Sequence, residues 1–282
     1  MIFWIASYPK SGNTWLRALL SSYYYSDDGI FKQNLLQEIG QFPEKKYFTN
    51  FNYNSKLITD TSKFWIDAQN EINKDKKIKF FKTHNILGAI NGNNFTNKSN
   101  TIGALYIIRD PRNTLTSLQN HFELTQNEAL KFMLNEKKFI HDFHKEDDFS
   151  DFQFISSWEK NYKSWIKQNI FPVKIIKYED LSNNTFEIFK EIIQFIEKTL
   201  KTKNSINIEK LKNSIKTTSF QKMKILENEN GFLEAVKSKK QNKKISFFYL
   251  GPKNNWKTIY NKKIQSKLFL TFKASLKELK YI

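Results

Sequence analysis

Short apolar runs alternate along the chain with segments whose apolar residues recur at helical spacing. Four runs predict buried strands, at 2–6, 78–82, 105–108 and 173–178. Helical spacing predicts helices at 14–25, 111 to about 122, 154–166, 185 to about 199, and 263–279. Strands that alternate with helices are typical of a mostly parallel sheet with helices on both faces, so we predict an α/β fold.

The rest of the chain adds no further unit to this pattern. Residues 27–77 are polar and rich in aromatics, with weak periodicity that predicts short helices and loops. We find no internal repeat and no linker rich in Gly, Ser or Pro, so we expect a single domain over 1–282.

Composition narrows the class of protein. Hydrophobic residues make up 39% of the 282 residues, enough for a sizeable core. The absence of cysteine excludes disulfides, a thiol nucleophile and cysteine-based zinc sites. The first apolar run is short and ends at Pro-Lys, and no stretch reaches the length of a membrane span. We therefore expect a soluble, cytoplasmic protein.

The net charge of +18 predicts an anionic partner. Nucleotides, nucleic acid, acidic glycans and lipid headgroups all satisfy that condition, and the charge alone does not choose among them. In parallel sheets ligands bind beyond the carboxyl ends of the strands. Polar residues stand there after three of the predicted strands: Lys10 and Ser11, then Lys82 to His84, then Arg109.

The segment 8–15, Tyr-Pro-Lys-Ser-Gly-Asn-Thr-Trp, joins a strand to a helix. Backbone N–H groups of such a loop can form an anion cradle at the positive end of the helix dipole. Gly12 permits close approach of a phosphate, and Lys10 adds a full charge. Side-chain donors are available from Ser11, Asn13 and Thr14. The loop is not a Walker loop, because its lysine precedes the glycine.

This segment resembles the 5'-phosphosulfate loop of the cytosolic-type sulfotransferases, with Asn13 in place of a common threonine. The resemblance spans residues 2 to about 260. It implies a P-loop-like fold and the co-substrate 3'-phosphoadenosine 5'-phosphosulfate, with no metal. In that family the tryptophan that matches Trp15 stacks near adenine. The spacing of Trp15 alone is explained equally well if its side chain is part of the core.

Residues 105–117 resemble the family's 3'-phosphate segment, which implies that Arg109 and Ser117 hold the 3'-phosphate. An arginine fork suits a phosphate dianion, and the Asp-Pro turn can bring both side chains to one group. The alternative is an Arg109 that pairs with Asp110 or another surface carboxylate, and a Ser117 that faces solvent.

Lys82-Thr83-His84 matches the family segment whose histidine is the catalytic base. Neutral imidazole can accept a proton at pH 7, and His121, His141 and His144 do not follow strands in this way. Lys10 and Lys82 would then carry the positive charge that transfer of a sulfuryl group needs.

Two later segments match the family more weakly. Tyr178, in Tyr-Glu-Asp-Leu, would contact the adenine nucleotide, and Thr218, Ser219 and Phe220 would bind its adenine and ribose. In the family an Arg-Lys-Gly segment closes the 3'-phosphate site, but here the matching residues are Tyr249-Leu250-Gly251. The 3'-phosphate thereby loses two charged hydrogen-bond donors. Lys253 or a lysine within 237–244 is the suggested substitute.

The expected function is therefore transfer of a sulfuryl group to a hydroxyl or amine of a small-molecule, glycan or lipid acceptor, without nucleic acid. The alternatives are a family member that binds nucleotide but has lost or altered activity, a small-molecule or nucleotide kinase, and a basic nucleic-acid binder. Aromatic residues in 42–65 either wall the acceptor pocket or belong to the core. They are Phe42, Tyr47, Phe48, Phe51, Tyr53, Phe64 and Trp65.

Overall fold

A five-stranded parallel sheet organises the chain. The computed structural model describes residues 1–141, 147–202, 204–238 and 244–282. The strands of the sheet are β1 (Ile2–Ala6), β2 (Gly40–Gln41), β3 (Lys79–Thr83), β6 (Thr101–Ile108) and β9 (Val173–Lys177). They lie in the order β2-β3-β1-β6-β9. Two small antiparallel pairs lie outside it, β4 (Ala89–Ile90) with β5 (Asn93–Asn94), and β7 (Phe139–Ile140) with β8 (Gln153–Phe154).

The central strand β1 is fully buried, and its side chains alternate between two cores. Trp4 packs into the larger aromatic-rich core, whereas Phe3 and Ile5 pack into the other. The indole Nε1 of Trp4 donates to the Thr101 hydroxyl at 2.8 Å, so its buried polar atom is satisfied. Because β1 pairs in parallel with β3 and β6, its carboxyl end lies beside theirs.

Helices cover both faces of the sheet, as the sequence pattern predicts. The buried residues of α1, α7 and α8 join the core that holds Phe3, and those of α2 to α5 and α11 join the core that holds Trp4. The bounds are α1 (Asn13–Tyr25), α2 (Trp65–Asn73), α3 (Pro111–Phe122), α4 (Gln126–Leu134), α5 (Trp158–Ile166), α6 (Tyr178–Asn183), α7 (Thr185–Leu200), α8 (Ile208–Thr217), α9 (Phe220–Asn230), α10 (Trp256–Ile259) and α11 (Lys262–Glu278).

Several boundaries differ from the sequence prediction for physical reasons. Helix α5 begins at Trp158 rather than 154, because the Ser157 hydroxyl accepts from the Lys160 N–H and caps it. Strand β6 begins at Thr101, four residues early, through its pairing with β1. The two-residue strand β2 has no apolar run of its own, and it is defined by its parallel pairing with β3.

The chain also forms the helices α4, α6, α8, α9 and α10, which the sequence analysis did not predict. No helix within the described ranges is long and apolar enough to cross a membrane.

Candidate active site

A cavity of about 1610 Å³ opens at the carboxyl ends of β1, β3 and β6. It gathers most of the residues that the sequence analysis singled out. Those lining it are Lys10, Gly12, Asn13, Thr14, Trp15, Lys82, His84, Arg109, Ser117, Tyr178, Thr218, Ser219, Phe220 and Gly251. Ser11 and Lys253 are not among its lining residues: Ser11 is fully buried, and Lys253 is exposed on the surface.

The loop between β1 and α1 has the backbone of an anion cradle. Lys10 and Gly12 both take positive φ, 67° and 101°. A Cβ on Gly12 would lie 2.5 Å from Cδ2 of Tyr178, so glycine is required both by the backbone angle and by this approach. The cavity wall is thereby built from two segments that lie far apart in sequence.

Two side chains of this loop are not placed as the sequence analysis expected. The Asn13 amide donates to the carbonyl of Ile5 at 3.0 Å and to the Ser7 hydroxyl at 3.2 Å, so it holds the loop against β1. The Ser11 hydroxyl is buried without a hydrogen-bond partner, and Ser11 does not line the cavity. Because the Asn13 amide nitrogen is already engaged, the backbone N–H of Asn13 is the group it can offer to an anion at the N-terminus of α1.

A carboxylate that sequence reasoning missed lies among the cations of this cradle. Glu234 accepts from the Thr14 hydroxyl at 2.6 Å and from Arg17 Nη1 at 2.5 Å. It also accepts from Lys82 Nζ at 3.1 Å. Arg17 could have been found from the sequence, since it lies one turn after Thr14 on α1. Glu234 is 220 residues away from Thr14, and no local pattern indicates that the two side chains meet.

Lys10 lies at the same end of the cavity. Its ammonium lies 4.1 Å from the centroid of the Phe247 ring, a cation–π contact. Burial, together with the positive charges of Lys82 and Arg109, lowers the pKa of Lys10 to about 8, although Glu234 opposes the shift. Burial also lowers the pKa of Lys82, again with Glu234 opposing.

His84 is held in one orientation. Its Nδ1 lies 2.8 Å from the backbone carbonyl oxygen of Ser7, and because a carbonyl only accepts, Nδ1 carries the proton. The other ring nitrogen, Nε2, is then the proton acceptor. Burial and the neighbouring Lys82 charge lower the pKa of His84 to about 3, so the ring is neutral at pH 7.

Arg109 and Ser117 meet where α3 borders the cavity, with Arg109 Nη1 3.3 Å from the Ser117 hydroxyl. Asp110 does not pair with Arg109, because Arg112 takes its carboxylate at 2.6 Å while the Asp110 side chain caps α3. Arg109 is 8% exposed, and its Nε is buried without a partner. An anion at this point would satisfy a buried cation that the described residues leave without a carboxylate.

Asn254 is a further residue beside Ser117 that the sequence analysis missed. Its amide donates to the Ser117 hydroxyl at 3.1 Å and to the carbonyl of Asn113 at 2.9 Å. Its signal was weak, because an asparagine three residues after Gly251 belongs to no motif that the sequence analysis used.

Aromatic rings line the middle of the cavity. The rings of Trp15 and Tyr178 are 5.6 Å apart, edge to face, and the Arg109 guanidinium lies 4.2 Å from the Tyr178 centroid. Phe220 lies so close to Gly251 that a Cβ there would be 2.3 Å from the ring. Ser219 is the N-cap residue of α9, and the Thr218 hydroxyl donates to the carbonyl of Ser214 at 2.7 Å. Flat rings around a gap suit a nucleobase.

Tyr249 and Leu250, which stand where the family has Arg-Lys, also line the cavity. Tyr249 is 48% exposed, and neither side chain carries a charged group. Of the suggested substitutes, Lys253 points to the surface, Lys237 lines the cavity, and Lys239, Lys240 and Lys243 lie outside the described residues. The densest basic run of the chain is thus described only at its ends.

The acceptor side of the cavity is not walled by the aromatic residues of 42–65. Phe42, Phe48 and Trp65 are fully buried in the core, and none of the seven lines the cavity. Its lining instead includes Phe122, Phe132 and His121. Within the described ranges no group of three His, Asp or Glu side chains could hold a metal ion.

Comparison with known proteins connects this geometry to a family. The sulfotransferase domain model matches residues 2–280. Luciferin sulfotransferase of Photinus pyralis is 26% identical over 228 residues, which cover 78% of this chain and 56% of that protein. Sulfotransferase 1A1 of Rattus norvegicus is 22% identical over 221 residues, covering 78% and 66%. The chain thus matches less than two thirds of the length of either relative.

Solved structures show the same fold at low identity. Mouse sulfotransferase SULT7A1 complexed with PAP (3'-phosphoadenosine 5'-phosphate) has a TM-score of 0.57 and 19% identity, covering 98% of this chain and 84% of that one. Retinol dehydratase in complex with androsterone and PAP has a TM-score of 0.59 and 15% identity, covering 98% and 80%. With a family model that matches nearly its whole length, the chain belongs to the sulfotransferase domain family.

Proposed function

We propose that this protein transfers a sulfuryl group from 3'-phosphoadenosine 5'-phosphosulfate to an acceptor hydroxyl or amine. The observation that carries the proposal is the meeting, in one cavity, of a cationic cradle at Lys10, an unpaired buried Arg109 and a neutral His84. The family to which the chain belongs and the PAP bound in its structural relatives support the choice of donor.

The donor would span the cavity from the β1–α1 loop to α3. In this arrangement Lys10, Thr14 and the free N–H groups at the start of α1 bind the 5' end. Arg109 and Ser117 bind the 3'-phosphate, with charge-assisted bonds that are each worth about 1.5–3 kcal/mol. Trp15, Tyr178 and Phe220 surround the adenine. The unpartnered Nε of Arg109 fits such an anion.

His84 is the proposed general base. Its Nε2 accepts the proton of the acceptor hydroxyl, while Nδ1 stays bonded to the Ser7 carbonyl. A pKa near 3 in the absence of donor keeps the imidazole unprotonated, and the anionic donor would raise it by offsetting the Lys82 charge. Lys10 and Lys82 stabilise the charge that develops on the leaving and equatorial oxygens.

For the acceptor the cavity supports only a class. Phe122 and Phe132 stack against each other at 5.1 Å, and Lys138 lies 4.5 Å from the centroid of the Phe132 ring. An apolar wall with a cation beside it suits a small molecule that carries a ring or chain next to its hydroxyl or amine.

The first test is thermal stabilisation by PAP against ATP, GTP and AMP at equal concentration. PAP should raise Tm most, because it alone fills both anion sites; at 100 times its Kd it would add about 2.7 kcal/mol of stability. Release of PAP from the donor in the presence of phenols, alcohols, amines and sugars then identifies the acceptor. Selective stabilisation by ATP with magnesium would favour a kinase instead and contradict the proposal.

A further inference from the structure

Glu234 is a carboxylate within a site proposed to bind an anion. Its two oxygens hold three donors that come from separate elements: the Thr14 hydroxyl and Arg17 guanidinium from α1, and the Lys82 ammonium from the end of β3. Thr14 and Lys82 are two of the groups proposed to contact the transferring end of the donor. In the absence of donor, both are engaged by this one side chain.

The contacts are largely shielded from water. The side chains of Glu234, Arg17 and Lys82 are 23%, 6% and 14% exposed. Burial alone would raise the pKa of Glu234, but Lys82, Arg17 and the Thr14 hydroxyl outweigh it and hold the pKa well below its usual value. The group is therefore a full negative charge at neutral pH, and its interactions in this setting are stronger than those of a surface ion pair.

Arg17 differs from the other two donors because it is anchored independently of Glu234. Its Nη2 donates to the carbonyl oxygens of Leu36 at 2.8 Å and Ile39 at 2.9 Å. Within the described residues, Thr14 and Lys82 have no second acceptor of this kind. Glu234 can thus release Thr14 and Lys82 while it stays paired with Arg17.

The segment that carries Glu234 also covers the cradle. It follows α9, and the Ile245 N–H donates to the Val236 carbonyl at 2.9 Å, which joins this segment to the stretch of chain that begins at Ile245. Glu227 of α9 holds that second stretch in place by accepting from the N–H groups of Phe247 and Phe248. Phe247 in turn lies over Lys10. These hydrogen bonds and the contact of Phe247 with Lys10 therefore hold the segment of Glu234 against the cradle.

We propose that Glu234 is an internal counter-anion of the 5' subsite, which the 5'-phosphosulfate of the donor has to displace from Thr14 and Lys82. Glu234 keeps these donors in place when the donor is absent and sets the affinity that an incoming 5' anion must exceed. It acts through Thr14 and Lys82, so it is a positioning residue. The inference rests on the proposed function, because it takes the nucleotide to bind here.

The experiment compares two nucleotides by calorimetry. PAP carries anions at both ends, whereas adenosine 3'-phosphate lacks the 5' anion and does not need to displace Glu234. In Glu234→Gln, the amide oxygen still accepts from Arg17 but competes weakly for Lys82. We expect this variant to bind PAP about tenfold more tightly, or about 1.4 kcal/mol, and adenosine 3'-phosphate with unchanged Kd. Glu234→Asp, whose shorter carboxylate withdraws from Thr14 and Lys82, should shift PAP affinity in the same direction.

Glu123→Gln is the matched control, because it removes a carboxylate from the same cavity lining but from a residue that accepts from the Ser238 hydroxyl at 2.7 Å. It should change neither affinity. If both Glu234 variants bind PAP no more tightly than the unmodified protein, or change both nucleotides equally, the inference is wrong and Glu234 only supports the fold. If the unmodified protein binds neither nucleotide, the proposed function itself fails.

Discussion

At the scale of single residues, the proposed chemistry depends on two side chains, His84 and Arg109, and on the partners that they lack. His84 uses Nδ1 on the Ser7 carbonyl, which fixes the ring and leaves Nε2 as the proton acceptor of a residue that lines the cavity. Arg109 has no carboxylate partner in the described chain, because Arg112 occupies Asp110. Each arrangement keeps a reactive or binding group available in a site where burial would normally require a partner.

Replacement of His84 tests the proposed base. His84→Ala should lower turnover by about 10²- to 10⁴-fold, the usual contribution of general-base catalysis. The Kd for PAP should stay unchanged, since no proposed nucleotide contact uses the ring. Initial rates of PAP release and calorimetric binding check the two parts separately.

His121→Ala is the control, because that imidazole lines the same cavity but packs against the Phe122 and Phe247 rings. Its effect on turnover should stay below about tenfold, less than the range for a general base. Near-normal turnover of His84→Ala with PAP still bound would contradict the assignment.

The sequence predicted residue types at strand ends but not their long-range partners. Lys10, Lys82, His84 and Arg109 could be named because parallel strands end at one edge and each residue follows a strand. Glu234 could not, since it lies in an irregular segment, and only the packing of that segment over α1 brings it to Thr14. Asn13 was placed correctly in the loop, but the direction of its amide depends on the backbone of β1.

At the scale of elements, the passage from β1 into α1 is fitted to the start of α6. Gly12 lies against Tyr178, the first residue of α6, and against Ile107 near the end of β6. The two side chains leave no room for a Cβ at position 12, so the loop keeps its positive-φ conformation only with glycine there. The geometry of the anion cradle and the position of the Tyr178 ring are set together.

Gly12→Ala tests this fit. The methyl group would meet Tyr178 and strain the backbone at φ 101°, so PAP affinity should fall at least about tenfold while the protein loses more than the ~1 kcal/mol typical of alanine at positive φ. Tm and the PAP Kd are the measurements.

Gly92→Ala provides the comparison, because Gly92 has φ 81° and no atom within 4 Å of its Cβ position. Its cost should be about 1 kcal/mol, with PAP affinity unchanged. Equal effects of the two variants on PAP would mean that the approach of Tyr178 does not matter.

Elements with strong periodicity were predicted closely, and those defined by pairing were not. Strand β1 and helix α3 match the sequence prediction at both ends, because an apolar run and the proline at the first turn mark them locally. Strand β2 has two polar residues and is defined only beside β3. Helix α9 has few buried residues, so its apolar pattern is weak.

At the scale of the whole molecule, cations from four places act on one site. Lys10 comes from the loop after β1, Arg17 from α1, Lys82 from β3 and Arg109 from β6. Burial lowers the pKa values of Lys10 and Lys82; the neighbouring cations act in the same direction, and Glu234 opposes the shift at both lysines. A bound dianion would reverse this by favouring the charged forms.

Donor affinity should therefore depend on pH above neutrality. Lys10 is charged below a pKa of about 8 and loses its proton above it, so binding of PAP should be strongest near pH 7 and weaken as pH rises through 8 toward 9.5. Calorimetric Kd values across this range measure the effect.

Lys10→Arg should flatten the profile over the same range, because guanidinium stays charged there. A profile that is flat in the unmodified protein, or equally steep in Lys10→Arg, would show that another group is responsible.

Residues from 9 to 15, near the start of the sequence, line the cavity together with residues between 218 and 238 and between 245 and 254. During synthesis the loop at Lys10 emerges from the ribosome long before Gly251, so a nascent chain has the cradle without the residues that close it. Nucleotide then has little to bind until synthesis has passed Gly251. In a cell that contains the donor, its binding would stabilise chains that extend past Gly251 and leave shorter ones to proteolysis.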